Sequence, residues 1–130
     1  MRYLLDVNAL IALGHTRHVH HVRAQQWLAG VEPEAVLGTC AISELGFVRA
    51  SVLAGLQPDV STARLALQKL KASSPVKFEL WSDALGADRL PRYVKSPAEL
   101  TDGHLLELAT EHKARLVTLD LSIPGALLIA

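Results

Sequence analysis

The chain opens Met1-Arg-Tyr-Leu-Leu-Asp6-Val-Asn8, and this stretch decides how the rest is read. Tyr3 to Leu5 is a short apolar run with the length and composition of a buried strand. It stops on Asp6, and Val7 to Leu13 reads as an apolar helix. In an open α/β sheet, ligands lie beyond the carboxyl ends of the strands. A functional carboxylate would therefore stand at Asp6, with Asn8 adding an oxygen-bearing side chain close by. Asp is also a favoured helix N-cap, and Asp6 alone does not separate the two roles.

Further along, the same grammar recurs. Ala24, Trp27, Leu28 and Val31 are spaced as one face of a helix over His18 to Val31. Ala35 to Thr39 reads as a second strand. The helix expected from Ala41 to Leu53 has an apolar stripe of Ala41, Leu45, Val48 and Val52. Glu44 falls at the inner edge of that stripe, where a lone acid is costly unless something pairs with it. Arg49, five residues on, points elsewhere, and a bound cation would account for Glu44. Gly55 to Pro58 is a turn, and Asp59 or Ser61 can cap the helix that follows. Val60, Ala63, Leu67 and Leu70 mark its buried side, while Arg64, Lys69 and Lys71 are expected on a solvated face.

Val76 to Trp81 reads as a third strand. Ser96-Pro97-Ala98-Glu99 fits a capping box with Pro at the first helical position. A helix is expected from there to His112, with Leu105, Leu106 and Ala109 facing inward. Gly103 is expected to mark a break, so that Asp102 begins the main helix anew. Arg115 to Leu119 is a fourth strand and ends on Asp120, repeating the opening pattern of apolar strand then Asp. Ala126 to Ile129 can add a short edge strand. Strands alternating with helices imply a parallel sheet covered on both faces.

Composition narrows the function classes. The chain has 130 residues, half of them hydrophobic and a fifth charged, as in one ordinary globular domain. Thirteen basic residues balance thirteen acidic ones, so any nucleic-acid footprint must be local. A single cysteine, Cys40, makes no internal disulfide, and a cytoplasmic location is expected. There is no secretory leader pattern and no membrane-length apolar run. His15, His18, His20 and His21 cluster near a helix start, but no cysteine or acid lies among them to complete a zinc set. Between Asp88 and Lys95 stand Arg89, Arg92, Tyr93 and Lys95, suited to phosphates and base stacking.

Four carboxylates stand out: Asp6, Glu44, Asp102 and Asp120. If they converge, two like charges ~4 Å apart repel by about 4 kcal/mol at an effective dielectric near 20. Hard oxygen donors of this kind select Mg²⁺ or Mn²⁺. That is the chemistry of metal-assisted phosphodiester hydrolysis. No Gly-rich phosphate loop and no Ser-His-Asp arrangement is present.

These residues carry a family resemblance. Leu5-Asp6-Val7-Asn8, His18-Val-His-His21 with Ala24 and Trp27-Leu28, Ser43-Glu44-Leu45, Leu100-Thr101-Asp102 and Leu116-Val-Thr118-Leu-Asp120 follow in the order of a PIN-domain ribonuclease of the VapC toxin type. The chain resembles that family over nearly its whole length. The resemblance implies a single PIN domain over 1–130, a three-layer α/β/α sandwich with a mostly parallel sheet of four to five strands. It implies Mg²⁺-dependent cleavage of structured or single-stranded RNA, tRNA or rRNA above all, with Mn²⁺ able to substitute. Asp6, Glu44, Asp102 and Asp120 would hold the metal, supported by Asn8 and Thr118. It also implies a homodimer, silenced by a cognate antitoxin in a larger complex. Two departures are visible: where many relatives carry a further polar or acidic residue after the last Asp this chain offers only Ser122, with no acid beyond Asp120, and position 119 is Leu where an aromatic is frequent. The competing reading is a catalytically weak PIN fold acting as a binding module through its antitoxin complex at DNA. A response-regulator receiver would need an acidic pair after the first strand, and a haloacid-type phosphatase would need Asp at position 8.

Overall fold

The computed structural model describes residues 1–130. The expected sheet is there: β1 (Arg2–Leu5), β2 (Val36–Thr39), β3 (Lys77–Leu80), β4 (Arg115–Thr118) and β5 (Leu127–Leu128). Their order is β3-β2-β1-β4-β5, and every neighbouring pair is parallel. The helices are α1 (Val7–Gly14), α2 (His21–Ala29), α3 (Ala41–Leu53), α4 (Val60–Ser73) and α5 (Leu100–Glu111), with 3₁₀ turns at Ala87–Arg89 and Pro97–Glu99.

Strand alternation divides the core. Successive side chains point to opposite faces. Tyr3 and Leu5 pack into the larger cluster with α1, α2 and α4. Leu4 and Leu116 pack into the smaller one, with Leu105, Leu108 and Ala109 of α5. Both faces are thus covered, as a parallel sheet requires. Gly38 of β2 admits the Trp81 indole, since a Cβ there would stand 2.4 Å from Trp81 Cε3.

The chain runs outward from β1 through β2 to β3, then returns to place β4 on the other side of β1. The switch point therefore lies between β1 and β4. Asp6 follows β1 and Asp120 follows β4. The Asp6 amide donates to the Val117 carbonyl at 3.1 Å, continuing the β1–β4 ladder to that point.

Four expectations are corrected. α2 begins at His21, not His18, because His20 and His18 form a turn in which His18 Nδ1 accepts the His20 amide at 3.0 Å. The innermost residues of α3 are Ser43, Phe47 and Ser51; of the expected stripe, Val48 packs partly buried against the core, Val52 is half-buried, and Ala41 and Leu45 are exposed. Its two serines can be buried because each is bonded to backbone: Ser43 Oγ accepts the Cys40 amide and donates to its carbonyl, and Ser51 donates to Phe47 O at 2.6 Å. Leu45 is left 66% exposed, and Val60 of α4 also faces outward. Finally, Gly103 does not break α5; the helix runs through it from the capping box at Ser96 and Glu99.

The irregular stretch after β3 is tied down by α5. His104 Nε2 bonds Asp83 Oδ2 at 2.5 Å, and His112 Nε2 donates to the Ser82 carbonyl at 2.8 Å.

Candidate active site

Asp6 is both a cap and a buried acid. Its Oδ1 accepts the Ala9 amide at 2.8 Å, closing the first turn of α1. The residue is only 3% exposed. Burial pushes its pKa up to about 6. The Thr118 hydroxyl and the Ala9 amide act in the opposite sense, while the charges of Asp102 and Asp120 add to the rise.

Asp102 lies in the first turn of α5, where the helix dipole favours an anion. Burial, and then the charge of Asp120, raise its pKa. Asp120 leaves the end of β4. Ser122 donates to its Oδ1 through both amide and hydroxyl, each at 2.8 Å, and these bonds hold its pKa down. Thr118 Oγ1 accepts the Asp120 amide at 2.9 Å, and the same hydroxyl lowers the Asp6 pKa. Asn8 is exposed on the second residue of α1.

The structure brings these three aspartates within electrostatic reach of one another, and no ion pair of the chain includes any of them. Glu44 stands apart. Its Oε2 accepts the Thr39 hydroxyl at 2.5 Å and is ion-paired with Lys71 of α4. Lys71 is thus corrected from a solvated face to a partner of Glu44. No group of three His, Cys, Asp or Glu side chains is drawn together as a finished metal cluster. In donor chemistry the aspartates still fit a hard divalent cation: oxygen ligands, mutually repelling, with no protein cation to offset them.

The histidines are occupied in packing. Ser51 Oγ donates to Phe47 O, so at 2.8 Å it receives the proton of buried His15 Nε2. The His15 ring stacks on Phe47 with centroids 5.1 Å apart. His21 Nδ1 donates to Ala12 O at 2.7 Å.

The basic segment divides. Arg89 is held by Glu107 at 3.1 Å and Glu111 at 3.4 Å. Arg92 and Lys95 are exposed and outside every ion pair. Tyr93 is half-buried with its hydroxyl turned inward. Two features have no direct expression in the sequence: Lys71 as the partner of Glu44, for which there is no local signal, and the inward Tyr93 hydroxyl. Gly103 is a signal for the second, since glycine inside a helix marks a close approach.

This fold and this site define a class. The family profile described as PIN domain matches residues 3–124. The chain is 38% identical to ribonuclease VapC38 of Mycobacterium tuberculosis, covering 92% of this chain and 86% of that protein. It is also 38% identical to ribonuclease VapC44 of the same organism, covering 97% and 94%. The chain belongs to the PIN-domain family, in its VapC branch. Among solved structures, VapBC2 from Rickettsia felis, bound to a promoter DNA fragment, has the same fold. It aligns with TM-score 0.64 at 14% identity over 98% of this chain and 97% of that one. VapC20 of M. tuberculosis, a sarcin-ricin loop cleaving toxin, aligns with TM-score 0.62 over 93% and 92%.

Proposed function

We propose that this chain is the endoribonuclease toxin of a toxin–antitoxin pair, hydrolysing RNA phosphodiesters with Mg²⁺, or Mn²⁺ in its place, and inhibiting translation. The observation that carries the reading is the set of Asp6, Asp102 and Asp120. Their charges act on one another and lack any cationic partner; Asp6 and Asp120 follow the two strands that flank the switch point, and Asp102 faces them electrostatically from α5. Its relatives named ribonuclease align over nearly the whole chain.

Asp6, Asp102 and Asp120 would hold the ion, and Glu44 would join them on release from Lys71. A divalent cation there supplies charge neutralisation at a phosphoryl group and a lowered pKa for an attacking water. Asp6 is fixed for this by its cap to Ala9, and Thr118 anchors the Asp120 amide at the end of β4. Water adds to phosphorus and the 3′ oxygen leaves, giving 5′-phosphate and 3′-hydroxyl ends. Arg92 and Lys95 are the free cations of the basic segment and would meet the RNA backbone, tRNA or rRNA being the expected targets.

An antitoxin would silence the site. The α3–α4 groove exposes Leu45, Leu53 and Val60 between Arg49 and Arg64. It suits an apolar antitoxin segment carrying acidic residues. A homodimer and cytoplasmic action complete the proposal. The test is end chemistry. RNA cut by the purified protein in Mg²⁺ should accept ligation at its 5′-phosphate. Fragments ending in 2′,3′-cyclic phosphate would contradict the metal-water mechanism.

A further inference from the structure

Pro91 to Val94 lies across the first turn of α5, and Gly103 is what admits it. A Cβ at Gly103 would stand 2.3 Å from Val94 Cγ2, 3.5 Å from Pro91 Cδ and 3.6 Å from the Tyr93 hydroxyl. Tyr93 Oη therefore sits over the residue next to Asp102. It is sealed from solvent and has no hydrogen-bond partner.

That is an expensive arrangement. A buried donor left unmade costs ~1–3 kcal/mol, so such groups call for an explanation. The other sealed atom of this kind, Arg23 Nε, belongs to a guanidinium with further donors. Tyr93 has a single hydroxyl. The charges that act on it are acidic: Asp102, Glu99 and Asp120. Glu99 is already engaged by the Lys95 and Ser96 amides, and Asp120 by Ser122. Asp102 is the acid whose carboxylate accepts no hydrogen bond from the chain.

We propose that Tyr93 is a positioning residue whose hydroxyl donates to the Asp102 carboxylate when that side chain turns to hold a divalent cation. One carboxylate oxygen is then fixed by Tyr93, and the other is left to the ion. Ligating carboxylates are commonly oriented by such outer hydrogen bonds. Gly103 leaves room for the Tyr93 hydroxyl beside the first turn of α5 that carries Asp102. The inference rests on the nuclease reading of the aspartates and assigns Tyr93 a role different from base stacking.

The experiment is Mn²⁺ titration of the full chain by calorimetry, wild type beside Tyr93→Phe, with melting temperatures in EDTA. Phe keeps the ring and its packing. The expected result is Mn²⁺ affinity reduced 10-fold or more, with the metal-free melting temperature unchanged or higher because an unpaired hydroxyl is gone. Unchanged affinity in the variant, beside a wild type that binds, overturns this inference and leaves the nuclease reading intact. A wild type that binds no Mn²⁺ overturns both. A variant that melts lower in EDTA shows that the hydroxyl already has a partner without metal, and this too overturns the inference.

Discussion

Lys71 of α4 is ion-paired with Glu44 in the first turn of α3, across 27 residues of sequence. The same carboxylate oxygen also takes the Thr39 hydroxyl. Glu44 is thereby neutralised by the protein itself, whereas Asp6, Asp102 and Asp120 are not. If Glu44 is the fourth ligand, a cation must compete with Lys71 for it. Lys71→Met should then tighten Mn²⁺ binding several-fold in a calorimetric titration. The pair is partly exposed, so its loss should change stability by less than about 1 kcal/mol. Unchanged Mn²⁺ affinity would take Glu44 out of the metal set.

Asp6 makes stability fall with pH in the metal-free protein. Its pKa is raised to about 6 in the fold, above its ordinary value of 3.8. Between those values the native state holds a proton that the unfolded chain has lost, so ionisation favours unfolding. The penalty is absent below pH 3.8 and is complete once the pH has passed about 6; at 1.36 kcal/mol per unit it is on the order of 3 kcal/mol. Asn can accept the Ala9 amide as Asp does, so Asp6→Asn keeps the cap. In EDTA at pH 8 the variant should melt higher, by up to about 10 °C. At pH 4 the difference should vanish, and saturating Mg²⁺ should narrow it at pH 8. A variant less stable than wild type at pH 8 would contradict the burial of an uncompensated charge.

Gly103→Ala sets helix propensity against packing. On an open helix surface the change would stabilise by ~1 kcal/mol. Here the new methyl meets Val94, a β-branched side chain with little rotamer freedom. Overpacking of this kind costs about 1–3 kcal/mol, so the expected sign is destabilising. Urea denaturation measures it directly. A stabilised variant would mean that Pro91 to Val94 does not rest on α5.

The basic segment makes a prediction that separates its arginines. Arg92→Ala with Lys95→Ala should weaken RNA binding and flatten its salt dependence, by roughly 0.7 in log–log slope for each phosphate no longer neutralised. Arg89→Ala should leave that slope unchanged, because Arg89 is held by Glu107 and Glu111. Binding isotherms of a catalytically silent Asp6→Asn protein at several salt concentrations would decide it.

The strand ends are legible in the sequence because they depend on local chemistry. An apolar run that stops on Asp is visible at Leu5-Asp6 and again at Leu119-Asp120, and the parallel order brings both to the sheet's switch point. The capping box at Ser96 and Glu99 is legible for the same reason. The inner face of α3 is not. Apolar periodicity selects Ala41 and Leu45, which are exposed, but Ser43 and Ser51 enter the core by bonding to backbone, and Phe47 supplies the bulk between them. Glu44 is legible as an acid in need of a cation. The partner that meets it is a lysine from another helix, which no local pattern could reveal. In the sequence Tyr93 stands out by its ring, while the structure gives weight to its hydroxyl.

The central claim is that the aspartates of the β1–β4 switch point make this chain a metal-dependent ribonuclease. Its most direct test is RNA cleavage by purified, partner-free protein in Mg²⁺, in Mn²⁺ and in EDTA, beside Asp6→Asn. The account predicts cleavage in either metal, none in EDTA, and loss in a variant that remains folded. Cleavage that persists in EDTA or in the folded variant would contradict it.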